Sequence, residues 1–322
     1  MSCKLQFAKL ELTRFGLLFC VLCVLCGESY SAEIEHGVLI RQAPVYLAPD
    51  TQSQRLGNPL EPGTEVAIIE RSSGGWVHIE PMNKSISGWI FDKGLVRVST
   101  PNGSQIVFGA AANAESEAGR MRGTRGEAAA NVAYRLYRMT EELFPNSPLA
   151  PEALYRAADV KWQIQRQDVM SRPSAKMQDP LMREQLDEEL MRRVMKKYPG
   201  TKWDDLAAYH LIDNKLCGDW EGQAKCPVKE AEIYERYAAD HPQSPVAAEA
   251  LYRAATRHAA LIDLYKTDEQ PKKAEESKSR ALLTTQRIIS QYAQQGDWPA
   301  RALALAMLVD QGIPTYGTVG IE

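Results

Sequence analysis

Between Phe144 and Ala158 the chain reads FPNSPLAPEALYRAA, and between His241 and Ala255 it reads HPQSPVAAEALYRAA. From the proline onward, eleven of fourteen positions are identical. Looser copies lie at Tyr198–Leu211 (YPGTKWDDLAAYHL) and Tyr292–Ala306 (YAQQGDWPARALALA). Self-similarity on this scale indicates an array of like units that bury their apolar faces by stacking. In each copy an aromatic residue or His241 closes one helix, and the following proline, where present, cannot continue it. Ser147, Thr201 and Ser244 are the N-cap candidates for the next helix, with Pro148 and Pro245 expected at its first position. Thr201 and Asp204 have nearly the spacing of a capping box. Ala153, Ala157, Ala250 and Ala254 are small enough to let neighbouring helices approach closely. Each unit is thus predicted to be helix, tight turn, helix.

The aromatic-Pro-x-Ser-Pro corner followed by Glu-Ala-Leu-Tyr resembles the tetratricopeptide-type repeats of bacterial envelope proteins, among them outer-membrane assembly lipoproteins and the Tol–Pal-associated cell-division coordinator. The resemblance covers roughly residues 127–310. It implies a helical superhelix that docks protein partners. The spacing departs from the usual period of about 34 residues. Pro145 and Pro199 are 54 residues apart, and Pro199 and Pro242 are 43 apart, so long helices or insertions must intervene.

Residues 1–31 read as an export signal, because Lys4, Lys9 and Arg14 precede a twelve-residue apolar run, Phe15 to Cys26. That run is too short to span a bilayer. Ser29 and Ser31 place cleavage before Ala32, whereas Cys23 and Cys26 follow Val-Leu pairs that suit lipidation poorly. Removing the leader shifts the net charge from −3 to about −4, without a basic block for nucleic acid. Arg120, Arg122 and Arg125 cluster locally and read as solvated.

Residues 35–100 differ in kind. Val66–Ile69, Trp76–Ile79, Trp89–Ile90 and Leu95–Val98 are short β-type runs, punctuated by turns at Pro62-Gly63, Gly74-Gly75 and Pro81–Lys84. Val45-Tyr46-Leu47-Ala48-Pro49, then Leu60-Glu-Pro-Gly-Thr-Glu-Val66, Gly75-Trp76-Val77-His78-Ile79 and Ser87-Gly88-Trp89-Ile90 follow the landmark order of the bacterial SH3 domain, which this segment resembles. Tyr46 stands where that family usually has arginine. The resemblance implies a small β-barrel that binds cell-wall peptides or proteins through aromatic side chains. The groove candidates are Tyr46, Trp76, His78 and Trp89. The competing reading is that tryptophans fill a thin core. It is the stronger one for Trp89 and evenly balanced for Tyr46 and Trp76. His78, opposite Val77 on an alternating strand, is expected to face solvent.

Pro101–Gly126 has no sustained apolar period and reads as a flexible linker that leaves the barrel semi-independent. Val132, Leu136, Met139 and Leu143 restore helical spacing. Ser171–Pro180 reads as a loop, Glu184–Lys197 as a helix and Gly312–Glu322 as a frayed tail.

Cys3, Cys20, Cys23 and Cys26 belong to the leader, which leaves Cys217 and Cys226. In an exported chain these are expected to form a disulfide closing a short loop. A cysteine peptidase would need a nucleophile turn that Cys217-Gly218-Asp219-Trp220 lacks. Zinc held by Cys217, Cys226, His210 and His241 would have no recognised ligand spacing. His258 shares an apolar stripe and reads as a core histidine. Glu141-Glu142 and Asp204-Asp205 read as solvated helix faces, and no catalytic signature occurs.

The expectation is a two-part β and α chain: a signal peptide (1–31), an SH3-like barrel (35–100), a flexible linker (101–126), tetratricopeptide-like repeats (127–310) and a tail (311–322). Its expected role is that of a non-enzymatic scaffold of the periplasm or cell envelope that uses no cofactor. The barrel would engage peptidoglycan or a wall-associated protein, and the repeats would dock an envelope protein. The alternatives are a purely protein–protein scaffold and a component or activator of a wall hydrolase.

Overall fold

Seven short strands precede nine α-helices among the described residues, 34–316, of the computed structural model. The expected leader lies outside them, as do residues 317–322 of the tail. The strands are β1 (His36–Leu39), β2 (Ala43–Tyr46), β3 (Arg55–Leu60), β4 (Glu65–Ser72), β5 (Trp76–Pro81), β6 (Gly88–Phe91) and β7 (Leu95–Arg97). They form one antiparallel sheet in the order β3-β2-β6-β5-β4-β1-β7. Strand alternation assigns the faces. Val45, Val77, Ile79 and Ile90 point into an aliphatic core with Leu39, Val66 and Leu95. Trp76, His78, Trp89 and Phe91 alternate with them and face the other way.

The expected linker is instead helical. Residues Gly103–Arg120 form α1, and Thr124–Leu143 form α2. The apolar face of α1 is built from Val107, Ala111 and Ala114, which pack on Ala133, Leu136 and Tyr137 of α2. A stripe of small residues carries little hydropathy, but it lets two helix axes approach closely. Val38 and Val96 of the sheet belong to the same apolar cluster. Arg135 Nε also donates to the Pro62 carbonyl at 3.0 Å. Gly63 lies under Arg135 with φ +84°, where a Cβ would collide with the arginine side chain. The sheet is therefore seated on the helices and is not semi-independent of them.

The remaining helices form three further pairs besides α2 with α3 (Ala150–Ser171): α4 (Glu189–Lys197) with α5 (Lys202–His210), α6 (Lys225–Asp240) with α7 (Ala247–Thr267), and α8 (Pro271–Gln291) with α9 (Trp298–Asp310). Each of the four recurring stretches occupies the corner of one pair. Phe144, Tyr198, His241 and Tyr292 close the first helix at φ −126°, −129°, −123° and −120°. Each donates its backbone N–H to the carbonyl four residues earlier. Phenylalanine, tyrosine and histidine thus share one backbone geometry at the corner.

Thr201 caps α5 as expected, its hydroxyl accepting from the Asp204 N–H, while Asp204 accepts from the Gly200 N–H. Ser147 and Ser244 act differently. Their hydroxyls accept from the N–H two residues on, at Leu149 and Val246, and so stabilise the turn. The helices begin only at Ala150 and Ala247, so Pro148 and Pro245 lie within the turn and not at the first helical position. Ala153, Ala157, Ala250 and Ala254 are fully buried.

The expected helix over 184–197 starts late. Asn214 holds Leu186 in an extended segment through both backbone groups, and Asp187 accepts from the Glu189 N–H where α4 begins. The segment 172–186 packs on the loop after α5, with the Gly218 and Asp219 N–H groups donating to the Met177 and Lys176 carbonyls. The tail is anchored as far as it is described. The Thr315 and Tyr316 N–H groups donate to Asp263, and Tyr316 stacks on Trp220 at 5.8 Å.

Candidate functional site

The four residues proposed for the sheet's binding face do come together, on β2, β5 and β6. Tyr46 pairs in register with Trp89, Trp89 with His78, and Trp76 with Phe91. Their rings form a strip of two contacting groups. Tyr46 meets Trp76 edge-on at 5.4 Å, Trp76 meets Phe91 edge-on at 5.7 Å, and the His78 and Trp89 rings lie 5.1 Å apart. The Arg55 guanidinium lies 5.7 Å from the Tyr46 ring centre.

Exposure divides the strip unexpectedly. Tyr46 and Trp76 are 6% and 8% exposed, whereas Trp89 and His78 are half-buried and Phe91 is 49% exposed. Core packing was the stronger expectation for Trp89, yet its ring lies on the face opposite the aliphatic core. Tyr46 and Trp76 form the base of the strip, with Trp89, His78 and Phe91 as its open surface. Phe91 was missed in the sequence, although its position two residues after Trp89 on a strand puts it on the same face. The strip offers flat ring surface with an imidazole and a guanidinium beside it. This is the chemistry of stacking and hydrogen-bonded recognition.

A second constellation surrounds the bond between Cys217 and Cys226, whose Cα atoms are 6.1 Å apart. It ties the loop after α5 to the first turn of α6. Beneath it, Glu230 is 2% exposed. Its carboxylate accepts from the Cys217 N–H at 3.0 Å, the Trp220 indole at 3.2 Å and Arg257 Nε at 3.1 Å. Glu230 lies four residues after Cys226 on a helix, so the i, i+4 spacing was the available signal for it.

The remaining histidines and acids sit in structural networks. Glu141 was expected in solvent, but it is 1% exposed and bound by Lys197, by Arg193 at 3.1 Å and by the Tyr198 hydroxyl at 3.4 Å. It joins the first helix pair to the second, and the Tyr198 phenol is pushed up to about 12, mainly by burial and then by that carboxylate. Asp205 is likewise partly buried, accepting from the Tyr237 hydroxyl at its backbone carbonyl and lying 2.7 Å from His241 Nδ1. His258 is buried, with Nε2 2.7 Å from Glu235. His210 lies between Tyr155, Trp162 and Asp159. Burial lowers its imidazole below the usual value, against the opposing pull of Asp159 and Asp213.

Between α4, α5 and α6 runs a groove of about 500 Å³, lined by residues including Met195, Ala208, Ile233 and Arg236. Among the described residues no group of three or more metal-ligating side chains occurs, and no helix is long and apolar enough to cross a membrane. No protein-family model matches the chain, and no curated protein is significantly similar to it.

Proposed function

We propose that this chain is an exported cell-envelope scaffold whose SH3-like sheet module binds peptidoglycan and whose tetratricopeptide-like helix pairs dock a protein partner. The observation that carries this reading is the open part of the aromatic strip, Trp89, His78 and Phe91, on the face opposite the sheet's core. Rings of this kind stack on the apolar faces of sugars and on peptide planes, while an imidazole supplies a directional hydrogen bond.

Because the sheet is seated on α1 and α2, its binding face and the helical surfaces keep a fixed spacing. Engaging one ligand then presents the other surface at a defined distance from the wall. Avidity would depend on whether the two ligands match that span and not on linker length.

Co-sedimentation with purified peptidoglycan sacculi tests this reading, using the chain from residue 32 onward and a Trp89→Ala, Phe91→Ala double variant. The parent chain is expected in the pellet and the double variant in the supernatant. A parent chain that stays in the supernatant would remove the wall from the account and leave a purely protein-binding scaffold.

A further inference from the structure

We infer that the groove between α4, α5 and α6 is the docking site for an acidic amphipathic helix of a partner protein. This deepens the proposed docking role of the helix pairs and rests on that reading. The groove arises from how the second pair meets the third. Helix α4 has only 9 residues, against 16 in α6. Between α5 and α6 the contacts are made by side chains: the Tyr237 hydroxyl donates to the Asp205 carbonyl at 2.8 Å, His241 Nδ1 lies 2.7 Å from Asp205 Oδ1, and the Tyr209 and Tyr237 rings are 5.2 Å apart. This clasp closes one end of the junction and leaves a gap of about 500 Å³ beside it.

The floor of the gap is apolar. Met195, Ala208 and Ile233 are half-buried there, above the buried Leu211 and Ile212. Methionine adapts its shape to an incoming apolar side chain. The rim is cationic. Lys215, Lys229 and Arg236 line it, and Lys196 follows one turn after Arg192 on the α4 wall. None of these four forms an ion pair among the described residues, while Arg192 is held by Glu188. Only two carboxylates, Glu232 and Asp240, line the same gap. The lining residues without an ion pair are thus three cations against two carboxylates, a net of one positive charge around an apolar floor, with Lys196 beside it.

A matching ligand therefore carries apolar side chains along one face and carboxylates beside them. The wall from Lys229 to Asp240 runs for about 16 Å of helix, which suits about three turns of a helix laid alongside. Anchors at i, i+3, i+4 and i+7 would reach the floor, and carboxylates flanking them would reach Lys229 and Arg236.

The test is fluorescence anisotropy with a labelled peptide of about fourteen residues, leucines at i, i+3, i+4 and i+7 and glutamates elsewhere. Two control peptides carry lysine for glutamate or serine for leucine. The protein is the chain from residue 32 onward, beside a Lys229→Glu, Arg236→Glu double variant; both side chains are exposed, and an unchanged melting temperature verifies the fold. The expected result is binding of the acidic peptide about tenfold or more tighter than either control, lost about tenfold in the variant and weakened by salt. Equal binding to parent and variant, no preference among peptides, or no binding would overturn the inference. Sacculi sedimentation of the same variant separates the two readings. Loss of peptide preference in the parent with sedimentation intact refutes the groove alone, and failed sedimentation with peptide preference intact refutes the wall alone.

Discussion

The sheet and the helices use aromatic residues in opposite ways. In the sheet the core is aliphatic, and the rings lie on the other face, where Trp89, His78 and Phe91 stay accessible. In the helical part the rings join consecutive pairs. Tyr155 of α3 packs on Trp203 at the start of α5, and Tyr252 of α7 packs on Trp298 at the start of α9, at 5.2 and 5.4 Å. These two contacts are equivalent in the repeat, since Tyr155 and Tyr252 occupy the same position of the recurring stretch. The difference shows why composition is a poor guide to binding sites. A ring between stacked helices contributes to stability, whereas a ring on an uncovered sheet face is available to a ligand.

The largest effect on stability is expected within the helices. Trp162 is 1% exposed and its indole donates to Asp213 at 3.1 Å. Trp162→Ala should cost about 3–5 kcal/mol in chemical denaturation. Exposed Phe91→Ala should cost under about 1 kcal/mol, since little buried area is lost. Equal costs would erase the distinction between the two regions.

Gly218→Ala comes next. A Cβ there would overlap the carbonyl oxygens of Ala175 and Met177, and backbone cannot step aside as a side chain can. A loss of about 2–4 kcal/mol is expected, by analogy with other overpacked sites. An unchanged melting temperature would show that the 172–186 segment is not seated on this loop. Opening the disulfide by Cys217→Ser with Cys226→Ser removes a covalent loop of nine residues' separation. The expected loss is about 2–3 kcal/mol by the loop-entropy model. Sacculus binding should survive it, because the aromatic strip lies elsewhere.

Much of this was legible in the chain. The corner signal located all four helix pairs, because an aromatic residue or His241 closes the first helix and, at three of the four corners, the following proline cannot continue it, a local effect that needs no distant partner. The resemblance to the bacterial SH3 domain named Tyr46, Trp76, His78 and Trp89 as groove candidates, with core packing the stronger expectation for Trp89, and the expectation of export made the Cys217–Cys226 pairing readable. What was not legible depended on distant partners. Helix α1 is recognisable only once α2 is there to receive Ala111 and Ala114. Glu141 looks like a surface acid until Arg193, Lys197 and Tyr198 arrive from more than fifty residues away. The order of exposure along the aromatic strip depended on which rings cover which, and that is fixed by packing across three strands.

A smaller effect distinguishes the helical part by pH. His210 has its imidazole lowered below its ordinary value of 6.5, chiefly by burial. In the unfolded chain it takes up a proton near that ordinary value, while the folded chain resists doing so. Stability should therefore fall as pH drops below about 6.5 and level off once the folded imidazole also protonates. Denaturation midpoints at pH 7.5 and 5.5 should converge in His210→Gln. Retention of the full pH dependence in that variant would assign it to another group.

The most direct test of the central contrast is a paired measurement on Trp89→Ala and Tyr252→Ala, reading sacculus-bound fraction and denaturation midpoint for each. A crossed pattern is expected. Trp89→Ala should lose most binding with a small shift in midpoint, and Tyr252→Ala, whose ring is 8% exposed, should lose about 2–4 kcal/mol while still sedimenting when folded. Parallel losses of binding and stability in both variants would contradict it, since the sheet's rings would then serve packing just as those of the helices do.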